Sequence, residues 1–349
     1  MTPSHPLGFG IVGIGMIAEF HAQALAHVKG ARLVGIASRD LDKAQAFAQK
    51  HGAAFATTNV AELAARPEVD IICVTTPSGA HLEPAIIAIS ARKHVVVEKP
   101  IEITLQRIDQ LLDAANVAGV RVAAIFQARL GSGAMAVKSA VDGGRFGRLV
   151  LASAYVKWSR TPAYYTGWKG TLELDGGGAV INQAIHAVDL LQWFAGVPAE
   201  VFCFKTRRVH ERIEAEDTAI AALKFADGAL GTIEATTAAY PGWQRRLEIC
   251  GEHGSVVLEN DTITRWEFRD TQPGDDAIRA RNDSADLGSG ASAPNAISFV
   301  GHQLQLQNLV DSINNHTPLT VDGREARKAV AIIRALYDSA DRGAPVKLS

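Results

Sequence analysis

The chain has 349 residues, more than one hydrophobic core comfortably serves and enough for two domains. With 21% charged and 47% hydrophobic residues and a net charge of −2, it reads as an ordinary globular protein without the basic stripe that a nucleic-acid surface needs. No apolar run approaches the ~20 residues that span a bilayer, and residues 1–6 carry no charged segment ahead of a long apolar stretch, so a cytoplasmic protein with no membrane and no nucleic acid as partner is expected.

The first third alternates short apolar runs with helical spacing. Strands are expected at Phe9–Gly13, Arg32–Ala37, Asp70–Thr75, His94–Glu98 and Val120–Gln127, and helices at Ile17–His27, Leu41–Lys50, His81–Ala91 and Leu105–Ala118. Such alternation, with continuously apolar strands, builds a parallel sheet covered on both faces. After a helix near Met135–Val141, ended by Gly143-Gly144, the pattern changes. Alternating runs at Leu149–Trp158, Ala199–Thr206, Thr218–Phe225, Ala229–Thr237, Arg245–Cys250, Ser255–Glu259 and Ile263–Phe268 predict an antiparallel or mixed sheet. Asp227-Gly228 marks a hairpin between two of them. A helix at Ala179–Phe194, stopped by Gly196, interrupts these strands. Thr271–Pro294 is polar and aperiodic and reads as a surface loop. Helices at Ile297–Asn314 and Arg324–Asp341 close the chain. The expected class is α/β, with domains at residues 1–128 and 129–349 and a last helix free to return to the first. Cys73, Cys203 and Cys250 lack metal-ligand spacing and read as reduced strand residues.

Gly13-Ile14-Gly15-Met16-Ile17-Ala18 is G-x-G-x-x-A between a strand and a helix. The first glycine permits a tight turn, the second lets a pyrophosphate approach the backbone, and Ala18 keeps helix close to strand. The N-terminus of that helix faces the phosphates. Gly13, Gly15, Met16, Ile17 and Ala18 are thus candidates for a nicotinamide dinucleotide. At the end of the second strand, where an acid would bind the ribose of NAD, the chain has Ser38 and Arg39. A hydroxyl and a planar guanidinium suit a 2′-phosphate, which favours NADP(H) and leaves NAD(H) possible. Alternatively, Arg39 is a solvated loop residue and Asp40 caps the next helix.

Glu98-Lys99-Pro100 ends a strand at the carboxyl edge of the sheet, where open α/β sheets bind ligands. Pro100 restricts Lys99, and an ammonium there can favour a developing oxyanion. A plain surface lysine at a turn is the alternative. Downstream, Asp175-Gly176-Gly177-Gly178 leads into a helix bearing Asn182, His186 and Asp189. Positions 182 and 186 share an α-helical face. Three glycines allow close backbone approach, as beside a flat ligand. A neutral histidine can take an alcohol proton as hydride leaves, although an isolated histidine is commonly a core residue. No third ligand accompanies His186 and Asp189 at recognisable spacing, so no metal is expected.

With these residues the chain resembles the glucose–fructose oxidoreductase/inositol dehydrogenase family (Gfo/Idh/MocA) over nearly its whole length. The likeness rests on the G-x-G-x-x-A turn, Thr75-Thr76-Pro77 with His81, Lys93-His94-Val95 leading to Glu98-Lys99-Pro100, the GGG…His-x-x-Asp segment and Val321-Asp322-Gly323-Arg324. The resemblance implies a doubly wound Rossmann domain plus a C-terminal α/β domain with a large, mostly antiparallel open sheet that mediates a homodimer or homotetramer. It also implies NAD(P)-dependent hydride transfer between nicotinamide and a secondary alcohol or ketone of a sugar, sugar derivative or cyclitol. By the same resemblance Lys99 and His186 are active-site residues, and Thr75, Thr76, Pro77, His81 and Glu98 line the nicotinamide side. Many such dehydrogenases carry Asp where this chain has Asn182. Asn cannot stabilise an imidazolium by charge, so Asn182 reads as a group that orients substrate.

Trp158, Arg160, Tyr164, Tyr165 and Trp168 combine aromatic faces with hydroxyls and cations, which suits a carbohydrate ring or, equally, a loop anchored to the core. Gln127 and Arg129 are weaker substrate candidates, and His302 reads as packing. Two other functions remain open: a glycoside hydrolase that uses its dinucleotide transiently, and a cofactor-binding regulator without chemistry.

Overall fold

The computed structural model describes residues 5–280 and 298–348. Its strands are β1 (Leu7–Val12), β2 (Ala31–Ala37), β3 (Phe55–Thr57), β4 (Ile71–Val74), β5 (His94–Val97), β6 (Val122–Ala124), β7 (Leu149–Lys157), β8 (Glu200–Thr206), β9 (Thr218–Lys224), β10 (Leu230–Thr236), β11 (Arg246–Gly251), β12 (Gly254–Glu259), β13 (Thr262–Phe268) and β14 (Val346–Lys347). Its α-helices are α1 (Met16–Leu25), α2 (Leu41–His51), α3 (Val60–Ala64), α4 (Leu82–Ser90), α5 (Leu105–Ala118), α6 (Ser132–Asp142), α7 (Ile185–Ala195), α8 (Asp275–Arg279), α9 (Val300–Asn315) and α10 (Gly323–Arg342). Packing divides the chain into Met1–Gln127 with Ser298–Arg327, and Ala128–Ile297 with Lys328–Ser349.

In the first unit the sheet runs β3-β2-β1-β4-β5-β6, and every pairing is parallel. The order reverses between β1 and β4, which opens a ligand crevice at their carboxyl ends. The strands are short and apolar because both faces are covered: β1 is buried at all six positions. Helix ends carry local signals. Asp40 accepts the Lys43 N–H at 3.1 Å to start α2, and Gly52 in the left-handed region stops it. Helix α9 belongs with this unit because Leu306, Leu309 and Val310 share one core with Ala18, Ala22 and Leu25 of α1. The carboxyl-terminal stretch is thereby divided between the units.

In the second unit the sheet runs β13-β12-β11-β7-β10-β9-β8-β14. Among the described residues β7 and β10 pair in parallel, and the other pairs are antiparallel. One face is buried against α7 and its neighbours. The other exposes Leu151, Phe204, Ile220 and Leu230, which the register sets in two directly opposed pairs, Leu230 with Leu151 and Phe204 with Ile220. The expected α/β class, with a Rossmann sheet followed by a mostly antiparallel one, is the class observed.

Three local expectations need correction. Strands β3 and β14 were not anticipated, since three and two residues carry no measurable alternation. The stretch expected to be loop from Thr271 holds α8, anchored where Asp275 accepts bonds from Arg145 (2.7 and 2.8 Å) and from the Trp266 indole (2.8 Å). The remainder of that expected loop, 281–294, lies outside the described residues. The helix expected from Ala179 begins as a π-helical turn, Ala179–Ala184, and becomes α-helical only at Ile185. Among the described residues no helix is long and apolar enough to cross a membrane. All three cysteines are free, with Cys73 and Cys203 buried.

Candidate active site

The glycine turn of the first unit has the form a dinucleotide needs. Gly13 sits at φ +93°, and a Cβ there would lie 3.0 Å from the backbone of Thr75 and Thr76. Gly15 is different, because a Cβ there would meet nothing within 4 Å. It caps α1 with no side-chain bond, so the helix's first N–H groups stay available to an anion. Met16 is exposed, Ile17 half-buried, and Ala18 fully buried against the core, as close helix–strand packing requires. A dinucleotide therefore fits this turn, with Gly13, Gly15, Met16 and Ile17 as the residues that would hold its pyrophosphate. At the tip of β2, Ser38 is half-buried and Arg39 exposed, while Asp40 is occupied in capping α2 and pairing with Lys43 at 2.9 Å.

Several residues expected to line the nicotinamide side are tied to one another. Thr75 donates its hydroxyl to the carbonyls of Val12 (3.0 Å) and Gly13 (2.6 Å), which clamps the end of β4 to the glycine turn. Thr76 donates to the Ala80 carbonyl at 2.7 Å, across the short turn that follows Pro77. The His81 ring lies 2.9 Å from both the Thr76 and the Pro100 carbonyls and so joins the two loops. Burial holds its pKa below the ordinary histidine value. Lys99 is half-buried at the end of β5, and its bond to Pro100 is cis. Glu98 is buried, and its Oε1 accepts from His21 (2.8 Å) and His302 (3.2 Å), while Oε2 accepts the Lys99 N–H at 3.1 Å. Burial opposes its ionisation, but the two imidazole bonds prevail and hold the carboxyl well below the usual carboxylate range. His302, read from sequence as packing, is thus a hydrogen-bond donor to Glu98. Gln127 is half-buried at the end of this unit.

The second unit gathers the other candidates around the start of α7. Asp175, buried, accepts the Gly170 N–H at 2.8 Å and the Asn182 amide. The Asn182 oxygen accepts from the Tyr164 hydroxyl at 3.0 Å and from Gln183. Gln183 donates to Tyr164 at 2.7 Å and accepts from Arg160 at 2.6 Å. A chain of amides and a phenol therefore runs from the carboxylate of Asp175 to the guanidinium of Arg160. Its polarity fixes the Asn182 amide, because a flip would set oxygen against carboxylate. Arg160 also lies 4.9 Å from the centre of the Trp158 ring, and the Lys169 ammonium 4.0 Å from that of Tyr164. Burial lowers the Lys169 pKa, with Asp175 opposing. Tyr165 bonds Thr237 at 2.6 Å, and burial pushes its phenol up to about 12. Trp168 is half-buried on the same loop, and His186 is half-buried at the second position of α7.

One expectation about this helix changes. The α-helical spacing that would align Asn182 with His186 does not hold across the π-helical turn, a feature frequent at functional sites. Two of the glycines before it are also required by the protein's own packing. A Cβ on Gly177 would fall 2.3 Å from the Tyr337 hydroxyl, and one on Gly178 would fall 1.8 Å from the Glu216 carbonyl. Glu216 accepts the N–H groups of Gly178 (3.0 Å) and Val180 (2.9 Å) and the Tyr337 hydroxyl (2.8 Å). Glu216 and Tyr337 so satisfy a helix start that has no side-chain cap of its own. Neither was singled out from sequence, since nothing local marks them. Arg129 and Asp189 are a buried bidentate pair at 2.8 and 2.7 Å, so Arg129 supports α7 instead of meeting a substrate.

A parallel six-stranded sheet with an uncapped helix after its first strand, followed by a second unit that carries a histidine helix, defines a dinucleotide-binding oxidoreductase. Residues 7–126 match the model of the oxidoreductase family with an NAD-binding Rossmann fold, and residues 134–257 match that of the GFO/IDH/MocA C-terminal domain. The chain belongs to the Gfo/Idh/MocA family. It is 32% identical over 278 residues to an uncharacterised oxidoreductase of Synechocystis, covering 75% of this chain and 74% of that protein. It is 29% identical over 271 residues to myo-inositol 2-dehydrogenase of Thermotoga maritima, covering 75% and 78%. Among solved structures, the WlbA dehydrogenase of Bordetella pertussis in complex with NADH and UDP-GlcNAcA superposes with a TM-score of 0.88 at 33% identity, covering 99% of both chains.

Proposed function

We propose that the protein transfers a hydride between a nicotinamide dinucleotide and a secondary alcohol or ketone of a sugar, sugar derivative or cyclitol. The bound dinucleotide supplies or accepts the hydride. Lys99 polarises the substrate oxygen, His186 carries its proton, and Asn182, held by Asp175 and Tyr164, orients the substrate. The observation that carries this reading is the buried polar chain from Asp175 to Arg160 at the head of the helix bearing His186. Burying so many polar groups is costly unless each is bonded, and a core alone has no need of them. Tyr164, Tyr165, Trp158 and Trp168 offer rings to a sugar, while Arg160 and Lys169 favour a substrate that carries an anion. At the adenosine end Ser38 and Arg39 fit a 2′-phosphate, and NADP(H) is the form proposed, although the similar Bordetella enzyme was solved with NADH.

The test is a spectrophotometric screen at the nicotinamide band. It covers myo-inositol, free sugars, sugar acids, UDP-GlcNAcA and a nitrophenyl glycoside, with NAD and NADP in parallel and a thermal-shift titration of each cofactor. Turnover of one of these classes is expected, with the larger thermal shift from NADP. A larger shift from NAD overturns the assignment of Arg39. Cleavage of a glycoside without net absorbance change would indicate a hydrolase, and cofactor binding with no turnover a regulator.

The outer face of the second sheet is proposed to meet a second copy of this chain, as a homodimer or homotetramer. Leu151, Phe204, Ile220 and Leu230 are each about half-exposed or more and form two apolar cross-strand pairs on that face, and exposed apolar surface of this kind marks a site of protein association. Light scattering should give a dimer or larger for the parent and a monomer for Phe204→Glu with Ile220→Glu. A monomeric parent would remove the proposal.

A further inference from the structure

Glu98, His21 and His302 come from the end of β5, from α1 and from α9, and all three are buried, with both histidines at 0% exposure. The two imidazoles meet each other edge to face at 5.2 Å between centres, and both aim Nε2 at one carboxylate oxygen. A carboxylate is expensive to bury unless each of its oxygens finds donors. Here one oxygen has two imidazole N–H groups, and the other accepts the backbone N–H of Lys99. The cluster therefore spends a buried charge on fixing one peptide group, the one from which the Lys99 side chain departs.

A metal ion is the competing account, since the three ligand atoms lie within 4.8 Å of one another. The far side of the rings speaks against it. A neutral imidazole that binds a metal carries its proton on the other nitrogen, which then needs an acceptor. Among the described residues, Nδ1 of His21 and Nδ1 of His302 are both buried without a hydrogen-bond partner. Metal ligation through Nε2 would leave two N–H groups buried and unanswered. Donation from Nε2 to Glu98 leaves only two lone pairs, the smaller defect. Burial also lowers the His21 pKa, with the Glu98 bond opposing.

We infer that Glu98, gripped by His21 and His302, is the positioning residue for Lys99 and sets the aim of its ammonium during turnover. The inference rests on the role proposed above for Lys99. Misplacing a reacting group by about 1 Å costs on the order of 10²-fold in rate, so a lost grip should appear in kcat before it appears in cofactor binding.

The experiment uses the full chain and the variants Glu98→Gln, His302→Leu, His302→Gln and Lys99→Met. Its first readout is amide hydrogen exchange at Lys99 by NMR. The second is kcat with UDP-GlcNAcA and NAD as the probe pair, beside NADH affinity by fluorescence. Glu98→Gln turns an amide nitrogen or loses an acceptor at one of three donors. Exchange at Lys99 should quicken about tenfold or more in Glu98→Gln and His302→Leu, while Val96 and Val97 keep the parent rate. Turnover should fall about 10-fold to 10²-fold with NADH affinity within about threefold of the parent. His302→Gln returns an N–H donor near the Nε2 position and should restore most of the protection. Parental exchange at Lys99 in both Glu98→Gln and His302→Leu overturns the inference, and this arm decides even where the parent does not turn over the probe. Should His302→Leu fail to fold, Glu98→Gln carries the same decision. Full turnover by Lys99→Met would remove the role of Lys99 and the inference with it. A dead Lys99→Met beside a fully active Glu98→Gln would remove the inference alone.

Discussion

Replacing Lys99 by methionine, or His186 by alanine, is expected to lower turnover by about 10³-fold while leaving NADH affinity within about threefold. Loss of one preorganised donor to a developing oxyanion typically costs about 10²- to 10³-fold, and loss of a general base about 10²- to 10⁴-fold. Methionine keeps the apolar stem of lysine and removes its charge and its hydrogen-bond donors. The dinucleotide turn of the first unit, with Gly15 open and α1 uncapped, does not depend on either side chain. Cofactor affinity, measured by the fluorescence of bound NADH, should therefore hold. Parental turnover in both variants would end the assignment of these residues. Parallel loss of turnover and of cofactor binding would instead mean damage to the fold of the unit concerned.

The second large effect is on stability. Arg129 and Asp189 are about 1% exposed or less and share two parallel hydrogen bonds. Arg129 also lies over the Trp193 ring at 5.2 Å, and Gln192 bonds Asp189 at 3.3 Å. Removing one member of a buried pair strands the other charge, so Arg129→Met should destabilise the second unit by about 3–5 kcal/mol. The double variant Arg129→Met with Asp189→Leu should recover a large part of that loss, because no lone charge remains. All five tryptophans (158, 168, 193, 243 and 266) belong to the second unit, so urea unfolding followed by tryptophan fluorescence reports this unit separately. A single variant as stable as the parent would show that the pair is solvated in solution.

Apart from the short β3 and α3, the strands and helices of the first unit were legible because its strands are continuous apolar runs and its turns carry Gly, Pro, Asp and Thr at fixed places. The alternation in β8 to β10 told the second sheet apart in the same way. The family was legible from ordered motifs, each weak alone. What stayed hidden depends on distant partners. Nothing around Ala179 announces a π-helical turn, since its N–H groups are met by Glu216 and its packing by Tyr337, far along the chain. Glu98 looked like a ligand-side residue of its motif, but α1 and α9 deliver His21 and His302 to it from 77 and 204 residues away. Asp175 stood in plain view before the glycines, yet its partners Asn182 and Gly170 are set by a loop and a turn that have no periodicity.

The tight contacts at Gly177 and Gly178 bear on how such a protein could be re-purposed. With a Tyr337 hydroxyl and a Glu216 carbonyl already where any side chain would go, mutation has no foothold at that corner. Thr161, Ala163 and Thr166, exposed on the loop that carries Tyr164 and Tyr165, are unconstrained by comparison. Directed evolution towards a new sugar would therefore find its accessible steps in that loop and leave the helix head untouched.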